Sequence, residues 1–440
     1  RQPGSNNVFR GTIEYNKKTI QKTLRRRLIL EQTVTPDFLP VLLGSDMNVY
    51  GMARSFHEAY GIKSVAVGKG RLNATSHSRI VSVEEVEPNL EDDKVFVDTL
   101  LCFAKRYPGR TLLLVPCGDN YTKLLARNQD KLRGAYAFTC IDEPLLTQLG
   151  IKENFYKVCS EHGFAFPKTT TCTFETYKGF QPPFDFPVII KPSNSVAYWN
   201  CRFPHKKKVF VAQDRSEFDA ILNAIYGSSY HDHLIIQEFI PGDDSGMRVM
   251  NCYCGRDRKV KLIALGHTLL EEHSPEGIGS YAAIISTRDD DLSMKMKNFL
   301  EDIGYTGFAN FDMKFDPRDK TYKLFEMNPR QGRSSFFVTA AGYNLAKWLV
   351  DDVILHKELP LTIADNEVLW SIIPKDVIFR YVKDESLKRE AKRLIHEGKY
   401  CQLMRYKPDT FRKRFVQFHL SQINYRKKYK QCFGNKGLHD

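Results

Sequence analysis

Leu324–Ser335 reads LFEMNPRQGRSS. An apolar strand runs into an acid, a carboxamide, a proline and two arginines. Glu326 and Asn328 lie two apart, so on an extended chain both side chains leave the same face. Both offer oxygen, the donor that a hard cation such as Mg²⁺ takes. Arg330 and Arg333 follow, as they would beside an anion. The competing reading is a polar strand end with solvated charges, and the stretch alone does not separate the two. Asp312 lies one strand earlier, across the polar turn DPRDKTY at 316–322. Two antiparallel strands joined there would set Asp312 beside Glu326. Three oxygen-bearing residues, Asp312, Glu326 and Asn328, then face one space.

Further back, FPVIIKPSNS (186–195) is a buried strand that ends at Lys191. A lysine has little reason to sit there unless it meets an anion. Lys152 opens the helix KENFYKVCSEHG (152–163). Two lysines neutralise a polyphosphate as point charges. IIQEFIPGDD (235–244) has the makings of a nucleotide edge. Gln237 leads into a connector, Glu238, Phe239 and Ile240, whose backbone offers C=O and N–H to an adenine. Asp243 or Asp244 would accept ribose hydroxyls. Each signal alone is weak. Strand lysine, connector with acids, then D…ExN and arginine, in this order, is strong.

The chain has 440 residues, 42% hydrophobic and 12% aromatic, which suits two to four packed units. No apolar run approaches the roughly 18 residues of a membrane span. The N-terminus lacks an apolar signal core. Ten cysteines are scattered without a CxxC, so a reducing cytoplasm is the expected location. Cys252 and Cys254 read as buried strand residues rather than metal ligands. The net charge of +13 sits at the ends: residues 1–30 carry +7 and residues 375–440 carry +11. A basic end suits nucleic acid, an anionic membrane surface or a phosphorylated substrate, or it only solubilises.

Residues 1–36 read as a basic N-terminal extension. Residues 37–147 alternate strand and helix, which implies a Rossmann-like parallel sheet. Its ligands would lie at strand ends near Gly44–Asn48 and Gly118–Asn120. No GxGxxG is present, so no dinucleotide site is supported. Residues 148–358 read as two α+β subdomains closed by a helix from about Ser335 to Leu355. In them, Asp289 opens a helix as a cap rather than a metal ligand. Residues 359–440 read as a separate basic C-terminal module. Its FRKRFVQFHLSQINYRKKYKQ (411–431) interleaves bases and aromatics. Nucleic-acid stacking is the disfavoured reading of that pattern, and an amphipathic helix packed on its own protein the favoured one.

The stretch from Lys152 to Arg333 resembles the ATP-grasp fold in both its halves, and residues 37–147 resemble that fold's usual N-terminal domain. PVLLGSDMNVYGMARSFHEAYG (40–61), FDMKFD (311–316) and EMNPRQGRSS (326–335) are most similar to the bacterial carboxylate–amine ligases typified by D-aspartate ligase. The resemblance implies ATP and Mg²⁺ as cofactors and amide formation through an acyl phosphate. It implies D-aspartate as the acid, and as the amine the lysine side chain of a nucleotide-linked muramyl peptide, a peptidoglycan precursor. It implies Lys152 and Lys191 at the ATP phosphates, Glu238 to Ile240 at adenine, and Asp244 with Asp243 at ribose. Asp312, Glu326 and Asn328 would hold Mg²⁺, with Arg330 at the acyl phosphate and Arg333 beside it. One departure stands out. The loop after Lys191, PSNSVAYWNCRFPHKKK (192–208), has no glycine, where ATP-grasp proteins often close a glycine-rich loop over the phosphates. Ser193, Asn194 and Ser195 would cover them through backbone N–H groups. Lys206–Lys208 read as a solvated hairpin with help at the phosphates as its alternative, and His273 as a surface-loop histidine with amine deprotonation as its alternative. Arg412, Lys413 and Arg414 are expected to attract the anionic acceptor. Two readings stay open beside the first: another acid and amine on the same chemistry, or a nucleic-acid or membrane-surface protein with a vestigial nucleotide site.

Overall fold

The computed structural model describes residues 37–274 and 277–433. The basic extension 1–36 lies outside the described residues. A first sheet contains β1 (Phe38–Leu43), β2 (Ser64–Gly68), β3 (Val81–Val86) and β4 (Thr111–Pro116), in the order β3-β2-β1-β4. β1, β2 and β3 pair in parallel, as strand–helix alternation requires. Gly44, at φ 119°, turns the chain out of β1, a conformation that suits glycine. Asp46 then caps α1 (Met47–Tyr60), accepting from the N–H groups of Asn48 at 3.0 Å and Val49 at 3.2 Å. α2 (Asp93–Ala104) and α3 (Asp119–Leu132) complete this layer.

Two short helices, α4 (Glu143–Gly150) and α5 (Lys152–Glu161), lead into a second sheet. It contains β5 (Thr169–Cys172), β6 (Val188–Pro192), β7 (Phe210–Ala212) and β8 (Leu234–Glu238), all antiparallel, in the order β5-β8-β6-β7. α6 (Ser195–Asn200) follows β6. α7 (Arg215–Tyr226) lays Phe218, Ile221, Leu222 and Ile225 into this sheet's core, the face that a 3.6-residue period predicts.

The third sheet has eight strands: β9 (Met247–Cys254), β10 (Val260–Glu271), β11 (Tyr281–Thr287), β12 (Gly307–Asp316), β13 (Thr321–Asn328), β14 (Thr362–Ile363), β15 (Leu369–Ser371) and β16 (Tyr400–Gln402). The order is β13-β12-β9-β10-β11-β15-β16, with β14 beside β10. Cys252 and Cys254 are buried in β9. Asp289 caps α8 (Asp290–Asp302) by accepting from Leu292 N–H at 2.9 Å. The single helix expected over 335–355 is broken into α9 (Phe336–Ala340) and α10 (Leu345–Val353). Gly342, at φ 97°, makes the break.

The segment expected as a separate module, 359–440, is instead built into this sheet through β15 and β16. Strands of three residues carry no period to read, which is why they escaped notice. The segment also supplies α11 (Lys375–Tyr381), α12 (Glu385–His396) and α13 (Arg412–Cys432). No helix among the described residues is long and apolar enough to cross a membrane.

Candidate active site

Asp312 and Glu326 are partners in the antiparallel β12–β13 register, and Asn310 faces Asn328 two positions on. The register shifts next to them, so Phe325 is an extra residue on β13. Such a bulge re-aims neighbouring side chains. Tyr281 donates its hydroxyl to Asp312 Oδ1 at 2.8 Å, and Asn328 Nδ2 donates to Asp312 Oδ2 at 3.0 Å. Burial, then the nearby Glu326 carboxylate, raises the Asp312 pKa. Glu326 lies deep between protein walls, yet half of its side chain opens to the cleft. Burial opposes its charge, but Lys152, Lys191, Lys208 and Arg330 outweigh it and hold its pKa low. Lys152 Nζ lies 3.7 Å from Glu326 Oε2. Lys191 is pushed well below the ordinary lysine value by burial and by Lys152. The sequence-predicted lysines and oxygen donors thus meet in one place.

Two chambers share this wall. One, of about 200 Å³, is bounded by Ile189, Val211, Ile240, Met247 and Phe325, with Lys191 and the connector Glu238–Ile240 at its edge. The other, of about 370 Å³, is polar and takes in Asp46, Asn48, Asp119, Asn328, Arg330 and Arg333. Lys208, Gly279, Tyr281, Asp312 and Glu326 line both. Arg330 donates to Asp119 Oδ2 at 2.7 Å. Arg333 donates to Glu272 Oε1 at 2.5 Å and to the Tyr281 carbonyl at 2.9 Å. Asn48 Nδ2 donates to the carbonyls of Cys117 and Gln331, both at 2.9 Å. It thereby ties the ends of the first sheet to the loop after β13. The strand ends at 44–48 and 118–120 do reach the chamber, as a parallel sheet leads one to expect.

Several sequence-predicted side chains are engaged within the protein, although Gln237, Glu238, Asp243 and Asp244 still line the first chamber. Ser193 donates its hydroxyl to the His233 carbonyl at 2.7 Å and lines neither chamber. The Glu238 carboxylate accepts from Lys168 N–H at 2.9 Å and pairs with Arg318 at 3.1 Å, so its side chain is committed to structure. Gln237 donates to the Tyr156 and Thr169 hydroxyls. Asp243 accepts from Ser245 N–H and Oγ, capping a short 3₁₀ turn. Asp244 is buried, accepting from Glu271 N–H at 3.0 Å and lying 2.7 Å from His273 Nε2. His273 is therefore neither a surface residue nor a base facing an amine. Its ring lies 4.5 Å from that of Phe433. Lys206–Lys208 are not a solvated hairpin: Lys206 caps the carbonyls of Trp199 and Cys201, Lys207 is buried, and Lys208 lines both chambers. Arg414 is not a surface charge but a buried one, paired with Asp409 at 3.2 Å.

Tyr281 and Glu272 were missed, and Lys208 was given its phosphate role only as the less favoured reading. Tyr281 opens a strand 31 residues from the Asp312 that it holds, and no local pattern announces such a pairing. Lys208 carried a signal, a third cation in the loop after Lys191.

No family model matches the chain. The chain is 42% identical over 409 residues to a D-aspartate ligase of Enterococcus faecium (strain Aus0004), covering 90% of this chain and 97% of that one. It belongs to the D-aspartate ligase family. Solved structures place the D-aspartate ligase fold among the ATP-grasp ligases. N5-carboxyaminoimidazole synthetase from Staphylococcus aureus complexed with ADP matches with a TM-score of 0.56 at 11% identity, over 82% of this chain and 87% of that one. L-amino acid ligase from Bacillus licheniformis matches with a TM-score of 0.50 at 13% identity, over 73% and 75%. As a member of the D-aspartate ligase family, this protein is an ATP-dependent ligase that forms an amide from a carboxylate and an amine.

Proposed function

We propose that the protein adds D-aspartate to the lysine side-chain amine of a nucleotide-linked muramyl peptide, in the cytoplasm, where ATP and that precursor are found together. The observation that carries the reading is the wall shared by the two chambers. Lys208, Asp312 and Glu326 line both an apolar cleft that suits the nucleotide and a polar chamber that suits the acid.

In the first step a carboxylate oxygen of the acid forms a bond to the γ-phosphorus of ATP, and the bond to the β–γ bridging oxygen breaks, releasing ADP. In the second the amine nitrogen attacks the acyl carbon, phosphate leaves, and the nitrogen gives up a proton. Lys152, Lys191 and Lys208 neutralise the transferring phosphoryl group. Arg330, fixed by Asp119, and Arg333, fixed by Glu272, bind the acid and stabilise the tetrahedral oxyanion.

Asp312, Glu326 and Asn328 would hold Mg²⁺, which when bound offsets the charge of the β- and γ-phosphate oxygens. The donor set fits, since it is all oxygen and its two carboxylates are cross-strand partners. The described residues contain no group of three His, Cys, Asp or Glu suited to a metal, so phosphate oxygens would complete the coordination. The backbone at Phe239 and Ile240 is assigned to adenine. Ribose falls to Asp243 rather than Asp244, whose Oδ2 is committed to Glu271 and His273.

ADP release, measured with a panel of D- and L-amino acids with and without the muramyl peptide, tests the reading. Turnover is expected with D-aspartate and the peptide together. Equal turnover with L-amino acids and a small amine would replace this substrate pair with another.

A further inference from the structure

A third cavity, of about 460 Å³, lies beside the acid chamber. Its walls come from Met47, the Asn73–Ala74 turn, and the face of α13 that carries Arg414, Phe418, Asn424 and Tyr425. The size is within the roughly 300–1,000 Å³ of ligand clefts. Two residues bring it close to the acid chamber. Met47 directly follows Asp46, which lines that chamber. Tyr425 lies within electrostatic range of the Arg333–Glu272 pair.

The lining narrows the ligand. No acidic residue contributes to it, and the side chains are mostly apolar with Asn73, Gln417 and Asn424 between them. Carboxamides among apolar groups suit a peptide backbone with small side chains. Arg414 stands in the wall as a buried residue, only 6% exposed. Its Nη1 donates to the carbonyls of Asn73, Ala74 and Ser76, and its Nε faces Asp409. Its guanidinium also packs on the Tyr50 ring, 4.8 Å from the centroid, so it is a fixed part of the wall. The helix adds to the field around the cavity: residues 412–432 hold seven Lys or Arg and no Asp or Glu. Anionic ligands are drawn to such a surface.

We infer that this cavity binds the peptide part of the amine acceptor, with small apolar residues against Phe418 and peptide groups on the carboxamides of Asn73, Gln417 and Asn424. The inference rests on the ligase reading above. The acceptor amine then enters the acid chamber between Asp46 and Tyr425. Helix α13 is thus a substrate-specificity element, and the chemistry of acyl transfer stays on the far side of Arg333.

The test compares two acceptors on the full-length enzyme: the nucleotide-linked muramyl peptide, and hydroxylamine, which traps the acyl phosphate as a hydroxamate. Ser421→Trp fills the cavity, and Asn424→Ala removes one carboxamide at an exposed position. Each is expected to raise KM for the peptide by about tenfold more than it lowers kcat/KM for hydroxylamine, as loss of a directed contact would. Equal effects on both acceptors, or no effect on either, overturn the assignment while leaving the ligase reading intact. If Ser421→Trp does not fold, Asn424→Ala decides alone. Failure of the wild-type protein to form hydroxamate with any acid would remove the ligase reading and this inference together. Unchanged peptide KM in both variants, with sedimentation of the protein on phosphatidylglycerol vesicles, would give the face to a membrane instead.

Discussion

Asp312 and Glu326 are cross-strand partners, yet their carboxyls are driven in opposite directions. Burial and the charge of Glu326 push Asp312 up. Lys152 and Lys191 hold Glu326 down in spite of burial. Two like charges on one ladder position persist only when cations stand over them. Asp312→Asn and Glu326→Gln are each expected to leave a folded protein with about a hundredfold lower ADP formation, as for a lost metal-site group. Near-normal turnover by both purified variants would sink the metal assignment.

Lys191 lies at the β6 end and lines the first chamber, with its Nζ 5.9 Å from the Phe325 ring centroid. Lys191→Ala is expected to weaken ATP binding by about ten- to a hundredfold, the range of a lost charge-assisted hydrogen bond. Calorimetry shows this directly. Unchanged nucleotide affinity would remove Lys191 from the site.

Asp409 is a buried carboxylate 1% exposed. It accepts from Ser78 Oγ and Arg79 N–H, and pairs with Arg414. Removing one partner strands the other charge. Asp409→Ala is expected to cost about 3 kcal/mol of stability, read by urea denaturation. A loss as small as that of an exposed pair, under about 1 kcal/mol, would mean that Arg414 finds water.

His267 gives the fold a pH dependence. Burial, and then Arg248, lower its pKa to about 4, and its Nε2 donates to the Ser245 carbonyl at 2.8 Å. In the unfolded chain the imidazole titrates near its ordinary value of about 6.5. Between those values the unfolded state holds the extra proton, so stability rises with pH across that window. The contribution is complete above the unfolded value and is lost as pH falls towards 4. Thermal unfolding of His267→Gln is expected to change less than wild type between about pH 6.5 and pH 4.5. Parallel curves would show that other groups set the acid sensitivity.

The parts of the site legible in the sequence were those that one strand or one hairpin arranges. Glu326 and Asn328 share a face by the two-residue period, and the 316–322 turn brings Asp312 to them. Lys191 was exposed as an oddity by its apolar neighbours. What stayed hidden depends on partners far along the chain. Asp244 reads as a ribose acceptor until His273 and Glu271 N–H close on it. Arg414 reads as one of three surface bases until Asp409 and the 73–76 carbonyls surround it. Side chains of this kind are assigned by tertiary packing, which local pattern does not encode.

Ile284 of β11 pairs with Trp370 of β15, and Trp370 with Cys401 of β16. During synthesis, therefore, Asp312 and Glu326 leave the ribosome well before the strands that finish their sheet. Until then β11 presents an open edge of buried residues, a template for pairing with another chain. A version shortened to residue 358 would carry every phosphate and metal-type group and still be an unfinished sheet. The last fifth of the chain acts as a completion signal, and the nascent ligase becomes a protected one only when it has been made.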